Sequence, residues 1–100
     1  MKLFRTSLDT LSNRALDAIQ AQHYHQAEKL CERLRHDYPE ALDGHQRGAQ
    51  LREAQGRFPE AVAHYEQMLA MVQADPAGTD AETVKEITQM RAQALARIPS

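Results

Sequence analysis

The stretch HYHQAEKLCERLRHDYPEA, beginning at His23, has a rewritten counterpart 34 residues downstream, RFPEAVAHYEQMLAMVQAD. At that fixed offset Tyr24 falls on Phe58, Ala27 on Ala61, Cys31 on Tyr65 and Leu34 on Met68, and further upstream Ala15 falls on Ala49. Small, aromatic or apolar character survives at each step while the intervening polar residues change. An internal period of this length constrains the fold more than any other feature of the chain. A unit of that size cannot bury its apolar face alone, so neighbouring units stack and share a core.

Each unit reads as a pair of helices. Over residues 7–22, Leu8, Leu11, Ala15, Ala18 and Ile19 recur three or four apart, the spacing of one helical face. Thr6 or Ser7 can cap that helix, and Asp9 suits its positive end. A second helix over 24–37 carries Ala27, Leu30, Cys31 and Leu34 on one side; Arg35 and His36 suit its negative end, and Tyr38-Pro39 stops it. The third helix, over 40–55, contains Gly44 and Gly48, each costing roughly 1 kcal/mol relative to alanine. A close helix approach explains Gly48 better than Gly44. Gly56 then closes the helix, and Phe58-Pro59 opens the fourth, over 59–73, with Ala61, Val62, Tyr65, Met68, Leu69 and Val72 at helical spacing. Asp75-Pro76-Ala77-Gly78 is a breaker. A capping box of Thr79 with Glu82 starts a fifth helix reaching about residue 97, with Val84, Ile87, Arg91, Leu95 and Ile98 as a stripe of three- and four-residue steps and Met90 beside it. The offset does not continue into this helix, which is expected to cap the stack over residues 80–97. Valine and isoleucine are sparse, and no strand is expected.

These residues resemble the tetratricopeptide repeat, a 34-residue helix-turn-helix unit. The second copy supplies the pattern through Ala49, Gly56, Phe58, Ala61 and Tyr65; the first supplies it through Ala15, Tyr24, Ala27 and Pro39. The chain departs from the family where large aromatics are usual in the first helix of a unit: those positions hold Leu11 and His45, then Ala18 and Arg52. Cys31 stands where the second copy has Tyr65. The resemblance implies an all-α fold of antiparallel helix pairs in a short right-handed solenoid of five helices. It forms a single domain, with unit one over about 8–41 and unit two over about 42–75. It also implies a concave face lined by the first helix of each unit. Carried over residue by residue, that lining is Asp9, Ser12, Asn13, Leu16, Ile19 and Gln20, then Asp43, Gln46, Arg47, Gln50 and Glu53. Such faces hold a peptide segment of a partner protein, as adaptors and small chaperones do. The Lys and Asn side chains that clamp a C-terminal carboxylate in chaperone-binding members are absent here, where Ser12 and Leu16 stand instead.

Chemistry is not what the remaining residues suggest. A nucleophilic thiol needs exposure and a nearby cation or helix start, whereas Cys31 lies mid-helix on the apolar side. His23, His25 and Glu28 are near neighbours in sequence, but a metal requires three or four ligands at fixed distances, so His36, His45 or His64 would have to complete the set by tertiary approach. No phosphate loop or nucleophile elbow occurs. The expectation is a non-enzymatic protein with no cofactor. A formal charge of −2 with no basic run argues against nucleic acid as the main ligand. No apolar run reaches membrane-spanning length, no signal peptide is evident, and one cysteine cannot form an internal bridge, so a reducing cytoplasm is the expected compartment. Arg47 is the one strong cation of the expected lining, either free for a ligand or held in an ion pair by Asp43. The alternative is a structural module that self-associates as a homodimer, with Leu3, Phe4 and Leu8 as its candidate docking segment.

Overall fold

The computed structural model describes residues 5–75 and 80–99; Leu3, Phe4 and Thr79 lie outside them. The described residues form five helices and no strand: α1 (Leu8–Gln20), α2 (Tyr24–Asp37), α3 (Asp43–Ala54), α4 (Phe58–Ala74) and α5 (Ala81–Ala96). Each helix packs on the next in the sequence, and α1 also touches α3, so the helices stack in sequential pairs as a compact solenoid-like array.

Local chemistry fixes the ends of α1 and α2. Ser7 caps α1, its hydroxyl accepting from the Thr10 backbone N–H at 3.2 Å. The segment before it is tied to the far end of α2. Tyr38 donates its hydroxyl to the Thr6 carbonyl at 2.7 Å, Arg33 donates to the Thr6 hydroxyl at 2.9 Å, and the Arg5 guanidinium lies over the Tyr38 ring. The turn that closes α1 is repeated at the end of α3. Gln22 has φ +63° and Gly56 has φ +74°, and the following N–H reaches back over the turn in both places, His23 to the Ala18 carbonyl and Arg57 to the Arg52 carbonyl. These are two Schellman closures one unit apart.

Two expected boundaries move. α3 begins at Asp43 rather than near residue 40, because Tyr38 leaves the helical conformation before Pro39 and residues 39–42 are used in turning the chain back. At α5 the cap is Asp80, whose carboxylate accepts from the Glu82 N–H at 3.0 Å and from the Thr83 hydroxyl at 3.2 Å. With its side chain bonded there, Asp80 fills the capping role that Thr79 and Glu82 were expected to share.

The core falls into two clusters. Leu11, Ala15, Ala18, Ile19, Ala27, Cys31 and Leu34 form the first, joined by Leu51 reaching in from α3. Ala49, Ala61, Val62, Tyr65, Met68 and Val72 form the second, closed by Ile87 and Ala94 of α5. Ala15, Ala27, Ala49 and Ala61 are all without exposed surface, while Ala63 is exposed, in the phase the periodicity predicts. The stripe of α5 differs from expectation at one point: Ala94 is buried and Leu95 is 40% exposed. The buried face runs 84, 87, 90/91, 94, 98, so its step after Arg91 is three residues and not four.

Both glycines of α3 sit at close approaches, and Gly44 is the tighter of the two. A methyl group at Gly44 would lie 2.6 Å from Arg35 Cγ and 3.1 Å from the Arg35 backbone nitrogen. At Gly48 it would meet the His64 ring at 2.9 Å.

Candidate functional site

The residues expected to line a concave face lie on α1 and α3, which touch. Asp9, Asn13 and Gln20 are exposed; Leu16, Asp43, Gln46, Arg47, Gln50 and Glu53 are half-buried. Ser12 and Ile19 are 3% and 7% exposed. Ile19 therefore belongs to the first core cluster, and the apolar patch expected from Leu16 with Ile19 reduces to Leu16.

Ser12 is a buried hydroxyl and needs a partner. Arg47 supplies it: Nε donates to Ser12 Oγ at 2.9 Å, and Nη1 donates to Gln50 Oε1 at 2.8 Å. The guanidinium thus bridges α1 to α3, rather than pairing with Asp43 one turn back. No protein acceptor for Nη2 is found among the described residues. Glu53 faces the other way, into the second pair, where it accepts the Tyr65 hydroxyl at 2.8 Å. Burial, the hydrogen bond and the charge of Glu53 all raise the Tyr65 pKa, so it stays a neutral donor.

Arg52 of α3 is half-buried between α2 and α4. It reaches Glu28 of α2 at 2.7 Å, Glu60 of α4 at 3.6 Å and the Gln55 amide oxygen at 3.0 Å, while Arg57 binds Glu60 through two contacts at 2.6 and 2.7 Å. A charged network thus ties three helices together.

Glu28 is therefore engaged by Arg52. No group of three or more His, Cys, Asp or Glu residues among those described could hold a metal. Cys31 is buried, and that burial pushes its thiol up to about 11. His45 and His64, 19 residues apart, meet across α3 and α4 with their Nδ1 atoms 3.0 Å apart. Spacing alone gives no sign of this pair. The 34-residue offset could have found it, because it maps His45 onto Leu11 and His64 onto Leu30, two residues of one apolar cluster.

Two open depressions lie away from the expected lining. One, of about 250 Å³, is bounded by Glu40, Leu42, Met71, Val72, Asp75 and Thr83; the other, of about 350 Å³, by Arg14, Asp17, Ala18, Ala21, His23 and Gln26. No described helix is long and apolar enough to cross a membrane. Compared with protein-family models, with curated proteins and with solved structures, the chain has no significant match.

Proposed function

We propose that the chain is a non-enzymatic, tetratricopeptide-like interaction module, its helix pairs wound as a short right-handed solenoid, and that it binds a peptide segment of a partner protein along α1 and α3 in the manner of an adaptor or small chaperone. The observation that carries this reading is the Arg47 bridge. Bonds to Ser12 and Gln50 hold the guanidinium in one orientation, and Nη2 keeps donors for a ligand carboxylate or main-chain carbonyl. Preorganised donors lower the entropic cost of holding a ligand. Asn13, Gln20 and Gln50 add amides able to bond an extended backbone.

The test is to isolate the partner from native extract and titrate it calorimetrically. Replacing Arg47 alone would leave the Ser12 hydroxyl buried without a partner, at a cost of about 1–3 kcal/mol. The informative variant is therefore Ser12→Ala with Arg47→Ala. It is expected to fold and to bind at least about tenfold more weakly, a loss of roughly 1.4 kcal/mol. Undiminished affinity, with Gln50→Ala and Leu16→Ala also silent, would remove this face from consideration.

Self-association is the second reading. Leu95, the exposed large apolar side chain of α5, favours it. Sedimentation at several concentrations, with Leu95→Gln as the control, distinguishes the two.

A further inference from the structure

We propose that the His45–His64 pair is an acid-sensitive latch on the second helical pair, one whose protonation breaks the α3–α4 crossing while the first pair stays packed. The two Nδ1 atoms are 3.0 Å apart, and the rings are tilted by 46° with centroids 5.3 Å apart. One proton can lie between the two nitrogens. One ring must then donate from Nδ1 and the other accept there, which at neutral pH requires opposite tautomers. A proton on both Nδ1 atoms sets two N–H groups head to head, and the contact cannot persist.

Toward α3 the His64 ring has no room to withdraw. Gly48 backs His64 so closely that even a methyl group would meet the ring. In the first pair the equivalent residues are Leu11 and Leu30, which carry no charge at any pH. The pH dependence is therefore confined to one unit.

The surrounding charges work in the same direction. From α2, Arg35 acts on both rings, and from α3, Arg52 acts on His64; both disfavour a further positive charge. Glu28 of α2 opposes them weakly, being engaged by Arg52 at 2.7 Å. Neither α1 nor α5 contributes a charge acting on the rings. Burial, the largest influence, lowers the pKa of both, and together with the charges of His45 and the two arginines it takes His64 to about 4. The folded state thus binds fewer protons than the unfolded one between about pH 6.5 and 4. Stability is complete above that window and falls as the pH drops through it.

Two measurements on the full chain test the latch. In ring ¹⁵N NMR spectra at neutral pH, one ring of the pair is expected as the Nδ1–H tautomer and the other as Nε2–H, with both protonating below the ordinary histidine value. Either ring protonating at the ordinary value, or the same tautomer in both, overturns the proposal. In urea unfolding, the unfolding constant is expected to rise about tenfold from pH 7.5 to pH 5.0, which is the linkage of one such histidine reduced for its partial exposure. The variant His45→Leu with His64→Leu, which restores the residues of the first pair, is expected to abolish that rise. A rise that persists in the variant, or is absent from the wild-type chain, refutes the latch. Should the variant not fold, the ring spectra of the unaltered chain decide without it.

Discussion

The two helical pairs share a frame and fill it differently. At the crossing of α1 with α2, Leu11 is buried and Leu30 packs against the same cluster; one unit later His45 and His64 occupy those positions and meet nitrogen to nitrogen. Ile19 and Cys31 of the first core become Glu53 and Tyr65, joined by a hydrogen bond. The contrast is sharpest along one side of each first helix. On α1 that side carries Thr10, Asn13, Arg14 and Asp17, all exposed; on α3 the equivalent residues are Gly44, Arg47, Gly48 and Leu51, which approach α2, bridge to Ser12, back His64 and enter the first core. The same helical frame is thus solvated at one end of the stack and packed at the next step. What differs is the size and polarity of four residues. α5 continues the logic without the repeat: Arg91 pairs with Glu66 of α4 at 2.8 Å, as Arg52 of α3 pairs with Glu28 of α2.

The largest expected break in this comparison is at Leu51. Leu51→Ala removes a fully buried side chain from between the pairs and is expected to cost about 2–5 kcal/mol, whereas Asp17→Ala at the equivalent place stays within about 0.5 kcal/mol. Equal shifts in denaturant midpoint would mean that the two faces do not differ as described. Gly44→Ala comes next, at about 1–3 kcal/mol, because the added methyl meets the backbone of α2. Gly48→Ala should cost less by the same melts, since a side-chain ring can shift where a helix backbone cannot. The smallest and most diagnostic pair concerns the two closures. Gly56→Gln should destabilise by about 1 kcal/mol, and Gln22→Gly should stabilise by about 0.5–1 kcal/mol, because the left-handed conformation is strained for any residue with a Cβ. Shifts of the same sign would show that the turns are not equivalent.

Much of this frame is legible in the chain itself. The period and the four small residues Ala15, Ala27, Ala49 and Ala61 locate the helix crossings, since only a short side chain lets two helices approach there. The stripe of α5 departs from the expected one at Leu95 because three- and four-residue steps fit a helical face equally well, and the small Ala94 leaves no apolar signal of its own. α3 starts later than expected because a proline can either precede a helix or, as Pro39 does, lead the turn before it. At the candidate site, the resemblance put Ser12 and Arg47 on one expected lining but could not show that they bond to each other. Nor could it show that Ile19 turns inward. Such facts depend on the rotation of α1 about its axis, which only its packing against α2 and α3 decides.

Cys31 gives the first pair a built-in clock. It is the sole cysteine of the chain and lies in the first core cluster, with its thiol pushed up to about 11. At pH 8 on the order of one thiol in a thousand is ionised while the protein is closed, and burial shields even that fraction from a reagent. Labelling is therefore expected to proceed through molecules in which the first core cluster has opened around Cys31. Its rate reports those excursions with no competing thiol and no engineered probe.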